Sequence, residues 1–136
     1  MSFQHQNSTH VLDTSGNENH GKPQNGARQE SAVKCKVGGC YSFDGNDDYV
    51  NVNKNIISGG KDELSVSAWI YIKGNAGNSW ERYIDVQDGS NNADAVLYWD
   101  DDDQIYGFKG LGGDARITGE DPPKRKWIHW TGSVNG

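Results

Sequence analysis

Ser65-Val66-Ser67-Ala68-Trp69-Ile70-Tyr71-Ile72 is the stretch that decides the fold. Successive side chains of a β-strand point to opposite faces, so Val66, Ala68, Ile70 and Ile72 share one face and Ser65, Ser67, Trp69 and Tyr71 the other. Both faces carry apolar groups, which predicts a central strand covered on both sides, with Trp69 in the core. A helix would need apolar residues at a period near 3.6, and no long stretch of this chain shows it.

Working outward, segments of the same type are expected at 33–37, 40–44, 48–53, 64–73, 80–87, 94–100, 104–109, 114–118 and 126–134. Glycine- and aspartate-rich turns separate them, among them Gly45-Asn46-Asp47, Asp88-Gly89-Ser90 and Asp100 to Asp103. Short strands punctuated in this way predict an all-β sandwich of two antiparallel sheets. Residues 4–31 lack apolar periodicity and read as a loop-rich beginning, anchored by Val11-Leu12. In a chain of 136 residues this organisation predicts a single domain spanning 1–136.

Charge narrows the function. The chain carries 13 Lys and Arg against 19 Asp and Glu, a net charge of −6. Such a surface repels phosphate backbones and anionic lipid headgroups, so neither nucleic acid nor a membrane is expected as a partner. No apolar run approaches the roughly 20 residues that span a bilayer, and no signal peptide follows Met1.

Enzyme motifs are weak. There is no G-x-S-x-G, H-E-x-x-H or Walker-type loop, and the glycines of 107–113 precede no helical segment that could receive a phosphate. Glu81 and Asp85, four apart on one strand, are expected to share a face, the arrangement a glycosidase would need. Solvated strand carboxylates are the commoner outcome. Oxygen-rich turns are the better signal, because Ca²⁺ takes six to eight oxygen ligands in irregular geometry. The chain offers Asp13 to Asn17, Asp44 to Asp48 and Asp100 to Asp103. Cys35 and Cys40 enclose Lys36-Val37-Gly38-Gly39, a turn that allows a short-loop disulfide and, with it, an oxidising compartment. Two reduced thiols at a hairpin edge are the alternative.

Three segments then carry a resemblance: Asp13-Thr14-Ser15-Gly16-Asn17-Glu18-Asn19-His20-Gly21, Phe43-Asp44-Gly45-Asn46-Asp47-Asp48-Tyr49-Val50 and Leu64 to Ile70. With Lys126-Trp127-Ile128-His129-Trp130, they are similar in order and spacing to a laminin G-like jelly-roll domain of the concanavalin A-like lectin/glucanase superfamily. The resemblance implies a jelly-roll sandwich and a non-catalytic carbohydrate-binding or adhesion role at the cell surface or outside the cell. It also implies a structural calcium ion near Asp13, with Asn17 and His20 contributing backbone oxygens. The family's later strands are not seen after Ser133, so the chain is expected to be a fragment of a longer secreted protein, incomplete at its C-terminus. An open sheet edge would then invite self-association.

A glycan ligand needs aromatic faces for its C–H-rich side and polar groups for its hydroxyls. Trp80, Tyr83, Tyr98, Trp99 and Tyr106 are the candidate rings, with Asn91 and Asp94 among their polar neighbours, while Trp69 and Trp127 are assigned to the core. A structural protein–protein interaction domain with no glycan ligand is the competing reading.

Overall fold

The structure, a computed structural model, describes residues 9–52, 63–74, 80–87, 93–110 and 113–135. The chain divides into two units, Met1–Lys54 and Asn55–Gly136. Apart from one 3-10 turn at Ala32–Lys34, the regular elements among the described residues are strands, and every pairing is antiparallel.

The first unit is built from short pieces. Strand β1 (Lys22–Gln24) and strand β2 (Arg28–Gln29) precede β3 (Tyr41–Ser42) and β4 (Tyr49–Asn51). β1 pairs with β4 and β2 with β3, and an isolated bridge joins Val11 to Gly21. Where residues 4–31 were expected to be a loop, the described residues 9–31 include the two short strands β1 and β2. Their pairing partners lie downstream at Tyr49–Asn51 and Tyr41–Ser42, beyond any local periodicity. The strand expected at 33–37 is replaced by the 3-10 turn and the connection to Cys40, and Val33 is left 93% exposed. Here the Cys35–Cys40 disulfide holds the two Cα atoms 5.5 Å apart and closes the turn, with Gly38 at φ 59°. Closing so short a loop is worth about 2 kcal/mol in the chain-entropy account. Reduction is expected to lower the melting temperature of the non-reduced protein by several degrees, measured by circular dichroism with and without reductant.

The second unit is two layers of sheet. In one, β5 (Glu63–Tyr71) pairs along its whole length with β10 (Trp127–Asn135), from Trp127 opposite Tyr71 to Asn135 opposite Glu63. In the other, β6 (Trp80–Gln87), β7 (Ala93–Asp100), β8 (Ile105–Gly110) and β9 (Gly113–Thr118) run as a four-stranded meander. Leu97, 0% exposed, and Phe108 form the centre of the core. Leu64, Val66 and Ile70 of β5, Trp130 of β10, and Ile84 and Val86 of β6 pack around them. The architecture is that of an all-β sandwich of antiparallel sheets, as the strand pattern predicted.

Strand β5 is buried on one face, where both faces were expected to be covered. Leu64, Val66, Ala68 and Ile70 are half-buried, whereas Ser65, Ser67, Trp69 and Tyr71 are exposed. Trp69 is 44% exposed and stacks against His129, with ring centroids 4.9 Å apart, while Tyr71 meets Trp127 edge-on at 5.5 Å. The alternation was read correctly, but Trp69 and Tyr71 are exposed, so Trp69 is not a core ring.

Candidate functional site

The four-stranded sheet sorts its aromatic rings by strand parity. On β7, Leu97 and Trp99 share the face that meets the other layer, and Val96, Tyr98 and Asp100 lie on the opposite face, where they too are buried, at 4%, 1% and 4% exposed. Trp80 of β6, paired with Asp100, lies diagonally across from Tyr98, whose own register partner is Arg82. Diagonal cross-strand neighbours are within reach of large rings. The two rings stack nearly parallel, with centroids 4.6 Å apart and planes inclined by 12°. Trp80 nevertheless remains 46% exposed.

Gly107 of β8 makes room for this stack. It is the register partner of Tyr98 on the other side, and a Cβ there would fall among the atoms of the Tyr98 ring. The ring therefore lies across the backbone of β8, buried beneath its neighbours, with Trp80 outermost. Tyr98 Oη–H donates to Asp114 Oδ1 at 3.4 Å. Burial, then the negative charge of Asp114, raises the Tyr98 hydroxyl above the ordinary phenol range. Two ion pairs flank the platform. Arg82 Nη1 donates to Asp85 Oδ2 at 2.8 Å, and Arg116 contacts Asp114 Oδ2 through Nε at 2.8 Å and Nη2 at 2.6 Å. The hydrogen bond from Arg116 to Asp114, then the charge of that carboxylate, raises the guanidinium further.

The other rings expected at a ligand surface are placed differently. Trp99 is 2% exposed and packs on Tyr106 at 4.5 Å, and Tyr106 meets Trp130 edge-on at 4.9 Å. Trp99 thus fills the interior because it has the parity of Leu97. Tyr106 is half-buried, and its hydroxyl donates to the Glu120 carbonyl at 2.5 Å. Tyr83 packs on Trp130 and donates its hydroxyl to Glu81 Oε2 at 2.7 Å, and burial, then that bond, raises it far above an ordinary phenol. Asn91 lies outside the described residues, as does the side chain of Asp94, whose backbone belongs to β7.

Glu81 and Asp85 do not share a face. The register with β7 shifts between Arg82 and Ile84, so Glu81 pairs with interior Trp99 while Asp85 pairs with Val96 on the outer face. A bulge of this kind inserts one residue and inverts the parity beyond it. The pair considered for glycoside cleavage is split across the sheet.

The expected calcium residues lie in the first unit. Asp13 Oδ1 accepts from Ser15 N–H at 2.8 Å, and Oδ2 accepts from Ser15 Oγ–H at 2.8 Å and Asn19 N–H at 2.9 Å. Asn17 N–H and its Nδ2–H donate to Ser15 Oγ, and Asp13 N–H donates to His20 Nδ1 at 3.0 Å. The hydrogen bonds from Ser15 backbone and side chain, then Asn19, hold the Asp13 carboxyl below its ordinary range. The ionised form is therefore favoured by folding. That contribution is present above the ordinary carboxylate range and disappears as pH falls through the lowered value.

The Asp44 to Asp48 turn is a second oxygen-rich group in this unit. Asp44, Asp47 and Asp48 bring carboxylate oxygens within 4.8 Å of one another. Asp44 N–H donates to Asp48 Oδ2 at 2.9 Å, yet Asp48 Oδ1 is buried without a hydrogen-bond partner. Gly26 leaves room beside it, since a Cβ there would lie 2.8 Å from Asp48 Oδ1. An anionic oxygen withdrawn from water without a donor is costly. A hard cation shared by the three carboxylates would satisfy it, so the donor set fits calcium.

Comparison with known proteins accords with this architecture. A laminin G-type family model, described as the concanavalin A-like lectin/glucanases superfamily, matches residues 44–136. No curated protein and no solved structure matches the chain. The matched residues include all six strands of the two-layered unit as well as the Asp44 to Asp48 turn, and the chain belongs to the concanavalin A-like lectin/glucanases superfamily.

Proposed function

We propose that this chain is a non-catalytic glycan-binding module, with the exposed Trp80 ring, seated on buried Tyr98, as its contact surface. Superfamily membership supports a lectin-like or adhesion role in general terms, in a superfamily that also includes glycosidases. The observation that carries the finer reading is the half-exposed Trp80 ring held flat on Tyr98, beside two arginine–carboxylate pairs. A pyranose lays its C–H face on such a ring while guanidinium and carboxylate groups bond its hydroxyls. Because Tyr98 and Gly107 fix the platform before any ligand arrives, little ordering remains to be done on binding. An array of immobilised oligosaccharides tests the reading. Wild-type protein is expected to bind a subset that Trp80→Ala fails to bind, and equal binding by both would contradict it.

Laminin G-like domains are generally extracellular, and the Cys35–Cys40 disulfide fits that setting. Among the described residues no helix is long and apolar enough to cross a membrane. A second reading, a protein-binding adhesion surface, is favoured by the exposed Trp69, Tyr71 and His129 on the outer face of β5 and β10.

Laminin G-like domains often bind calcium, and here Asp44, Asp47 and Asp48 would hold it as a structural ion. An ion bound only by the folded state contributes about 2.7 kcal/mol at a hundredfold excess over Kd. Millimolar Ca²⁺ is expected to raise the melting temperature by roughly 5–10 °C. Asp48→Asn should remove that gain, whereas Asp13→Ala should lower the melting temperature and leave the calcium response intact. A gain lost only in Asp13→Ala would place the ion at Asp13, Asn17 and His20 instead.

A further inference from the structure

Resting on the glycan reading above, we infer that the outer face of the β6–β9 sheet selects uncharged glycans and rejects sulfated or carboxylated ones. The argument is one of charge placement. Arg82, Lys109 and Arg116 occupy this face by register, and they are the groups that could recruit a sulfate or a uronate. Two of them are already engaged. Arg82 is 2.8 Å from Asp85 and Arg116 is 2.6 Å from Asp114, so the positive charge of each guanidinium is already offset by a carboxylate before an anionic sugar arrives. Lys109 lies opposite Asp114 on the neighbouring strand.

The exposed ring itself stands at an acidic margin. Trp80 is the register partner of Asp100, after which the chain continues through Asp101, Asp102 and Asp103 in the turn to β8. Among the described residues Asp100 is bonded to backbone and not to an arginine: its Oδ1 accepts from the N–H groups of Asp102 and Asp103 at 3.2 and 3.3 Å. That carboxylate therefore organises the turn and keeps the acidic run next to β6. Paired strands are about 4.8 Å apart, and the Debye length at 0.1 M salt is about 10 Å. A sugar stacked on Trp80 would thus feel the aspartates with little screening. Neutral hydroxyls accept this environment, because carboxylates and paired guanidinium groups still offer acceptors and donors. Among the described residues of this face Arg82 and Arg116 are paired, and exposed Lys109 is outnumbered by the aspartates at 100–103, so sulfates and uronates would meet net repulsion.

Retention on columns of immobilised neutral oligosaccharides (cello-, xylo-, manno- and galacto-series) and anionic ones (oligogalacturonate, heparin and chondroitin sulfate fragments) tests this at 50 and 300 mM NaCl. Wild-type protein is expected to be retained by at least one neutral series, at least tenfold more strongly than Trp80→Ala, and by no anionic series at 50 mM. Replacing Asp101, Asp102 and Asp103 together by Asn is expected to preserve the neutral retention and to permit anionic retention. Trp80-dependent retention of wild-type protein on an anionic series would overturn the inference and leave the glycan reading standing. Lack of Trp80-dependent retention on every column would overturn the glycan reading, and this inference with it.

Discussion

Phe108→Ala is expected to cost about 4 kcal/mol, because deleting a buried aromatic ring removes its transfer energy and leaves a cavity. Phe108 sits at the centre of the core with Leu97, between the two layers of the second unit. Its ring also presses on the backbone of β10, where a Cβ on Gly132 would collide with it. The cavity would therefore be bounded on that side by a glycine with no side chain to relax into it. Since domains are stable by only about 5–15 kcal/mol, this substitution should lower the melting temperature by more than 10 °C. A melt within a few degrees of wild type would show that the layers do not meet around Phe108.

Gly107→Ala is the second large effect, and it links packing to binding. A methyl group at 107 falls among the Tyr98 ring atoms, and the neighbour in the way is a rigid ring stacked under Trp80. Overpacking of this kind costs typically 1–3 kcal/mol. Tyr98 must lift off the sheet and take Trp80 with it, so the platform should be lost along with several degrees of melting temperature. Near-ultraviolet circular dichroism, which reports the coupled rings, should lose amplitude. Retention of the wild-type signal would mean that the stack does not depend on Gly107.

Much of the two-layered unit was legible in its residues. β6 lies at 80–87 as expected, and β5, β7, β8, β9 and β10 begin and end within a residue or two of their expected bounds. These strands are long enough for alternation to be read, and turn residues bound them. What alternation cannot supply is the identity of the neighbour. Trp69 and Tyr71 were correctly grouped on one face, but whether that face is interior depends on where β6 to β9 pack. The shift at Tyr83 is similarly silent, because nothing local marks the inserted residue that sends Glu81 inward and Asp85 outward.

The site was legible in part for the same reason. Trp80 and Tyr98 were named as candidate rings and are brought together, whereas Trp99, adjacent in sequence to Tyr98, has the opposite parity and belongs to the core. Arg82 and Arg116 were missed. Their signal was available in hindsight through register alone, since each stands opposite a residue of the Tyr98–Gly107 row. In the first unit, the short strands β1 and β2 depend on partners distant in sequence, and the apolar Val33 and Val37 suggested a strand where the disulfide-closed turn stands.

The central claim is that Trp80, and not aromatic exposure in general, makes the binding surface. Trp80 and Trp69 are exposed to similar extents, 46% and 44%, but lie on different layers. Isothermal titration of wild-type protein, Trp80→Ala and Trp69→Ala with the best-retained neutral oligosaccharide separates them. Stacking contributes about 0.5–1.5 kcal/mol beyond the apolar area it buries, so Trp80→Ala should weaken binding about tenfold, with Trp69→Ala within twofold of wild type. The reverse order, with Trp69→Ala abolishing binding and Trp80→Ala neutral, would contradict the account.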